Sequence, residues 1–164
     1  MSGRLVIDLA ALAANYQHFV DASQGGRVGA VVKADGYGLG ANACAARLWA
    51  EGCRDFFVAT CAEGLALRHH VTAARIFVLE GVRSDNASEL AQARLVPVLN
   101  HVDQQQCWLP HRHLPCALHV DTGMCRLGYD VGLTPDHVRD FNPVLLMTHL
   151  ACADQPGHPC LLYT

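Results

Sequence analysis

Lysine occurs once in these 164 residues, at Lys33; the other eleven of the 12 basic side chains are arginine. Charge of either sign is sparse, with 16% charged residues against 51% hydrophobic ones, which excludes a disordered chain and leaves enough apolar material for a core. The formal net charge of −3 supplies no basic stripe, so no nucleic-acid groove and no anionic membrane surface is expected as a partner. No uncharged apolar stretch reaches the roughly 18 residues of a membrane span. The opening MSGRLVIDLAALAAN imitates a secretory signal, but Asp8 breaks its apolar run. The eight cysteines include no Cys-x-x-Cys pair, and several sit in apolar stretches where a thiol behaves as a small hydrophobe. These features predict a soluble, cytoplasmic protein with reduced thiols.

What remains is a regular alternation. Asp8 suits an N-cap for a helix with Leu9, Leu12, Tyr16, Phe19 and Val20 at helical spacing, ended by Gly25-Gly26. Short apolar strands are expected at 28–32, 56–59, 75–79, 95–99, 116–120 and 144–147. Helices are expected at 41–50, 62–69, 86–93 and 102–108, with another opening at Thr134 or Pro135. Strands buried on both faces and each followed by a helix indicate a parallel α/β sheet. Six such βα units correspond to a partial (β/α)8 barrel, in which chemistry collects where strands end. Lys33, Asp121 and His149 all fall at such ends.

Four segments carry chemistry. In AVVKADGYGLG, a lysine closing an apolar strand is partly stripped of water, which favours the neutral amine that attacks a carbonyl. Gly36, Gly38 and Gly40 allow a tight turn, and Tyr37 offers a hydroxyl. The same glycines formally fit a dinucleotide fingerprint, weakly, because Lys33-Ala34-Asp35 intervenes and no acid closes the second strand. In LHVDTGMCRLGY, Arg126 presents a permanently charged fork suited to a carboxylate or phenolate oxygen. In LLMTHLACAD, His149 lies just past a buried run. CWLPHRHLPC places Cys107, His111, His113 and Cys116 within ten residues, a set that could bind metal, although its spacing fits no common zinc arrangement. The alternatives to function are a snorkelling Lys33, a surface Arg126 paired with Asp130, and a structural His149.

Together, VVKADGYGLG, HVDTGMCRLG and MTHLACAD resemble, in order and separation, the three signatures of the alanine racemase family over roughly residues 4 to 159. The resemblance implies a pyridoxal 5′-phosphate enzyme with an N-terminal (β/α)8 barrel that interconverts L- and D-alanine for peptidoglycan. It implies that Lys33 holds the cofactor and serves as one of two catalytic bases, and that Tyr37 contacts the phosphate. Arg126 then bonds the phenolic oxygen near the substrate carboxylate, with Met124 beside it, and His149 lies against the pyridine ring. No metal is implied. His119 stands where many members carry a lysine, often carboxylated, and Cys125 where others carry asparagine.

The domain expected is an incomplete barrel over residues 1–159, followed by a tail at 160–164 unlike the family. The last two barrel strands and the C-terminal β domain are missing from the pattern. That domain carries the second base across a homodimer interface in the family. Weak or no racemase activity is therefore expected of this stretch. The alternative readings are a non-catalytic cofactor-binding remnant, or a small Cys/His metal-binding or interaction module.

Overall fold

The computed structural model describes residues 3–130, 132, 134, 138–155 and 157. The chain divides into two compact units, 1–79 and 80–164.

The first unit begins with α1 (Leu9–Ala22), capped by the Asp8 carboxylate, which accepts the N–H groups of Ala10 and Ala11 at 2.8 and 3.0 Å. Such a cap is worth about 1 kcal/mol. Gly25 then takes a positive φ and turns the chain. Strand β1 (Ala30–Val31) leads through the lysine segment to α2 (Ala41–Ala50), β2 (Asp55–Val58), α3 (Cys61–Arg68) and β3 (Arg75–Val78). The three strands pair in chain order and all in parallel, with Ala30 opposite Phe56 and Phe57 opposite Phe77. Phe56, Val58, Ile76, Phe77 and Val78 are almost wholly buried, and the Phe57 and Phe77 rings stack with centroids 4.7 Å apart. At the opposite, N-terminal end of β2, the buried Asp55 carboxylate receives Arg75 through two bonds of 2.5 and 2.6 Å.

The second unit contains α4 (Ala87–Gln92), β4 (Val96–Leu99), α5 (Val102–Trp108), a short 3-10 turn (Leu109–His111), β5 (Pro115–His119) and β6 (Asn142–Met147). Its strands are again parallel and in chain order, with Val98 opposite Ala117 and His119 opposite Met147. Val98, Leu99, Trp108, Cys116 and Ala117 form its core. The six expected strands are thus present. The first is shorter than the expected 28–32, and the sixth is longer, starting at Asn142. The expected helix opening at 134 or 135 falls largely outside the described residues, as does the tail at 160–164. Among the described residues, no helix is long and apolar enough to cross a membrane.

Candidate active site

Within each unit the parallel strands have their C-terminal ends on one side, and each unit carries its chemistry-bearing side chains at its own strand ends. In the first unit, β1 runs directly into Lys33. The residues that follow form a single left-handed turn rather than an open loop: Ala34, Asp35, Gly36 and Tyr37 have φ of 52, 52, 64 and 57°. Helix-like bonds from Gly36 N–H to the Val32 carbonyl and from Gly38 N–H to the Ala34 carbonyl, both 2.9 Å, close it. Left-handed backbone costs about 1–2 kcal/mol at each non-glycine residue, and three of these four are not glycine. Strain of this kind persists only where its surroundings enforce it, and it gathers at functional sites.

The enforcement comes from two carboxylates. Asp35 Oδ1 accepts the Ala41 N–H at 2.8 Å, anchoring the start of α2. Glu63 Oε1 accepts the Ala34 N–H at 2.8 Å, while its Oε2 accepts the N–H groups of Ala59 and Thr60 at 2.7 and 3.4 Å. Thr60 Oγ1 in turn accepts the Glu63 N–H, completing a capping box on α3. Glu63 therefore bridges the end of β2 to the residue after Lys33. Sequence reasoning passed over it, although the Thr-x-x-Glu spacing was visible. Gly36 is buried at the closest approach, where a Cβ would lie 3.2 Å from the Ala41 nitrogen. The Lys33 ammonium lies 6.0 Å from the centre of the Tyr37 ring, whose side chain is largely exposed.

In the second unit, the DTGMCRLG segment folds back over the end of β5. Tyr129 N–H donates to the His119 carbonyl at 2.7 Å, and Asp121 N–H to the Tyr129 carbonyl at 2.8 Å. Gly128 makes this return possible, since a Cβ there would fall 2.6 Å from the Asp121 nitrogen. Asp121 Oδ1 accepts the N–H groups of Gly123 and Cys125 at 2.9 and 3.0 Å, and these bonds hold its carboxyl below the usual range. Thr122 and Thr148 share a hydroxyl hydrogen bond of 2.6 Å, joining this loop to the end of β6. Met124, half-buried, and Arg126, exposed, lie on the loop, and His149 follows β6, also exposed. Among the described residues, Arg126 forms no ion pair with Asp130.

Beneath this loop is a buried polar chain that the sequence did not announce. Gln104 Nε2 donates to the Glu80 carbonyl at 2.7 Å, and its Oε1 accepts the Asn100 N–H at 2.9 Å. Gly81, with φ of 82°, leaves the space that the Gln104 amide fills. Asn100 Nδ2 donates to the Val98 carbonyl at 2.8 Å, which turns its Oδ1 towards His119 Nδ1, 2.8 Å away. An oxygen at that position accepts, so Nδ1 of His119 carries the proton and Nε2 presents a lone pair. That Nε2 is fully buried and has no partner among the described residues. Burial, reinforced by the charges of His149 and Arg126 and opposed by Asp121, holds the imidazole below its ordinary pKa and neutral. An orphaned buried acceptor costs about 1–3 kcal/mol.

The Cys107–Cys116 segment does not converge. Cys116 is buried in β5 with its thiol pushed up to about 11 by burial, and His111 packs against the Trp108 ring at 5.3 Å. His113 is exposed. Among the described residues, no group of three or more His, Cys, Asp or Glu could hold a metal ion.

The family described as alanine racemase, N-terminal domain, matches residues 7–161. The biosynthetic alanine racemase of Agrobacterium fabrum is 46% identical over 166 residues, which cover 95% of this chain and 42% of the relative. The alanine racemase of Rhizobium meliloti is 44% identical over 172 residues, covering 99% and 45%. Among solved structures, alanine racemase from Bartonella henselae with covalently bound pyridoxal phosphate superposes with a TM-score of 0.85 at 31% identity, over 93% of this chain and 48% of that one. The fold is that of the alanine racemase N-terminal barrel domain. The chain spans less than half the length of these relatives.

Proposed function

We propose, because this chain belongs to the alanine racemase N-terminal domain family, that it carries the cofactor-binding half of a pyridoxal 5′-phosphate-dependent alanine racemase. The observation that supports this most directly is the chain's one lysine, standing at the C-terminal end of β1 on a strained turn that two carboxylates clamp.

The donor set fits the cofactor. An aldehyde needs a primary amine, which Lys33 provides. A phosphate needs a hydroxyl or N–H donor, which Tyr37 provides. A phenolic oxygen needs a cation that never deprotonates, which Arg126 provides. His149 offers a flat ring to lie against the pyridine. When bound, pyridoxal phosphate supplies an electron sink that stabilises negative charge at the substrate α-carbon.

The chain's own residues then bind, orient and move one proton. Lys33 Nζ would hold the cofactor in the absence of substrate and, once the substrate amine has displaced it and left it a free amine, would exchange the α-proton on one face. Arg126 orients the phenolic oxygen and, with Met124 beside it, receives the alanine carboxylate. Inversion requires a second base on the opposite face, and the reading places it in the part of the relatives that this chain does not span, at a homodimer interface. General bases contribute about 10²–10⁴-fold each. The isolated chain is therefore expected to racemise alanine at least about 10²-fold more slowly than a full-length relative.

The test is to purify the chain, add pyridoxal phosphate, reduce with borohydride and map the peptides. A pyridoxyl adduct on Lys33, lost in Lys33→Ala, is expected; a folded chain with no adduct would overturn the proposal. The same adduct with no D-alanine formed at any rate above background would instead support the reading of a non-catalytic cofactor-binding chain.

A further inference from the structure

We propose that Tyr129 is a positioning residue: its buried hydroxyl ties the loop of residues 121–129 to the start of α5 and so fixes where Arg126 stands. What Arg126 does there rests on the racemase reading above; the tie itself does not.

The loop is closed at its foot by backbone alone. Tyr129 N–H donates to the His119 carbonyl and Asp121 N–H to the Tyr129 carbonyl, so Arg126 lies on a closed turn, three residues before its foot. The first half of that turn is organised from within. Asp121 Oδ1 gathers the N–H groups of Gly123 and Cys125, and the N–H of Arg126 faces the same carboxylate. Thr122 is fastened to Thr148. The second half, Arg126-Leu127-Gly128, contains no side-chain acceptor that could do the same. Its support comes through Tyr129.

The tyrosine suits that task. It is 9% exposed, and its hydroxyl donates to the His101 carbonyl at 3.0 Å. The Gln105 side chain bonds to the same hydroxyl, so the oxygen both gives and receives. Burial raises the phenol above its ordinary pKa, which keeps the donated proton in place. His101 directly precedes α5, and the first turn of that helix supplies two adjacent buried glutamines. Gln104 serves the Asn100–His119 chain under the end of β5, and Gln105 serves Tyr129. One helix end therefore braces both feet of the loop that carries Arg126.

The experiment compares Tyr129→Phe with the unmodified full chain by amide hydrogen exchange and by titration with pyridoxal phosphate. Phenylalanine keeps the ring and removes only the bonds of the hydroxyl. Exchange of the Asp121 and Tyr129 amides should quicken about fivefold, the weight of one ordinary hydrogen bond, while the amides of β4 exchange as before. The dissociation constant for pyridoxal phosphate should rise about fivefold as well. Added to Arg126→Gln, in which Lys33 remains to hold the cofactor, Tyr129→Phe should cost no further affinity, because the group it positions is gone. Unchanged exchange would overturn the proposal. So would an equal loss of affinity in both backgrounds, the mark of a merely structural role, or no loss in either. The racemase reading fails separately: an unmodified chain that takes up no pyridoxal phosphate at Lys33 refutes that reading alone, and the exchange rates still decide whether Tyr129 holds the loop.

Discussion

The carboxylate of Glu63, in the first turn of α3, accepts the backbone N–H of Ala34 at 2.8 Å, the residue directly after Lys33. The base of the candidate catalytic lysine is thereby held by a side chain thirty positions away. No substrate or cofactor atom need touch Glu63 for it to matter.

Glu63→Ala removes the acceptor for Ala34 and Ala59 together and deprives α3 of half its capping box. Each unsatisfied donor costs about 1–3 kcal/mol, reduced where water can reach it. A loss of about 2–4 kcal/mol in urea unfolding is expected, with a lower yield of Lys33 adduct at equal folded protein. Glu63→Gln, which keeps one oxygen, should fall between the two. An unchanged unfolding midpoint would remove Glu63 from the account.

Ala34 occupies a left-handed backbone that glycine adopts without cost. Ala34→Gly should therefore stabilise the chain by about 0.5–1 kcal/mol, because relief of about 1–2 kcal/mol exceeds the added entropy of the unfolded chain. A calorimetric scan checks the sign. Destabilisation would mean that the turn is not left-handed in solution.

At the N-terminal end of β2, Asp55 is 7% exposed and takes both nitrogens of its contact with Arg75. Breaking a fully buried pair costs about 3–5 kcal/mol. Arg75 is 40% exposed at its side chain, so water recovers part of that. Arg75→Met is expected to cost about 2 kcal/mol by denaturant unfolding, and less at high salt.

His119 gives the stability a pH dependence of known sign. Its folded-state pKa lies below the ordinary 6.5, so the unfolded chain binds the proton more readily. Stability should be constant above about pH 7 and fall as pH drops through 6.5 towards the lower folded value. His119→Gln should flatten this part of the profile. An unchanged slope between pH 7 and 5 would mean that His119 is not held neutral.

The strands were legible because β-branched and aromatic runs such as Arg75-Ile76-Phe77-Val78 allow little else, and Lys33 was conspicuous as the chain's one lysine. The lysine turn was not legible. Gly36 and Gly38 advertised a bend, but Ala34 and Tyr37 are poor candidates for positive φ, and only the bonds from Glu63 and Asp35 overrule that preference. The Gln104–Asn100–His119 chain was hidden for a different reason. Asn100 and His119 are nineteen residues apart and meet only because β4 and β5 pair side by side. Local pattern carries no trace of that encounter.

The turn after Lys33 winds with the opposite hand to every helix of natural chirality around it. A peptide unit of inverted configuration would sit there at ease. Assembled by chemical ligation with D-alanine in place of Ala34, the chain should fold more stably than its all-L counterpart, whereas the same exchange at Ala45, inside α2, should unwind the helix.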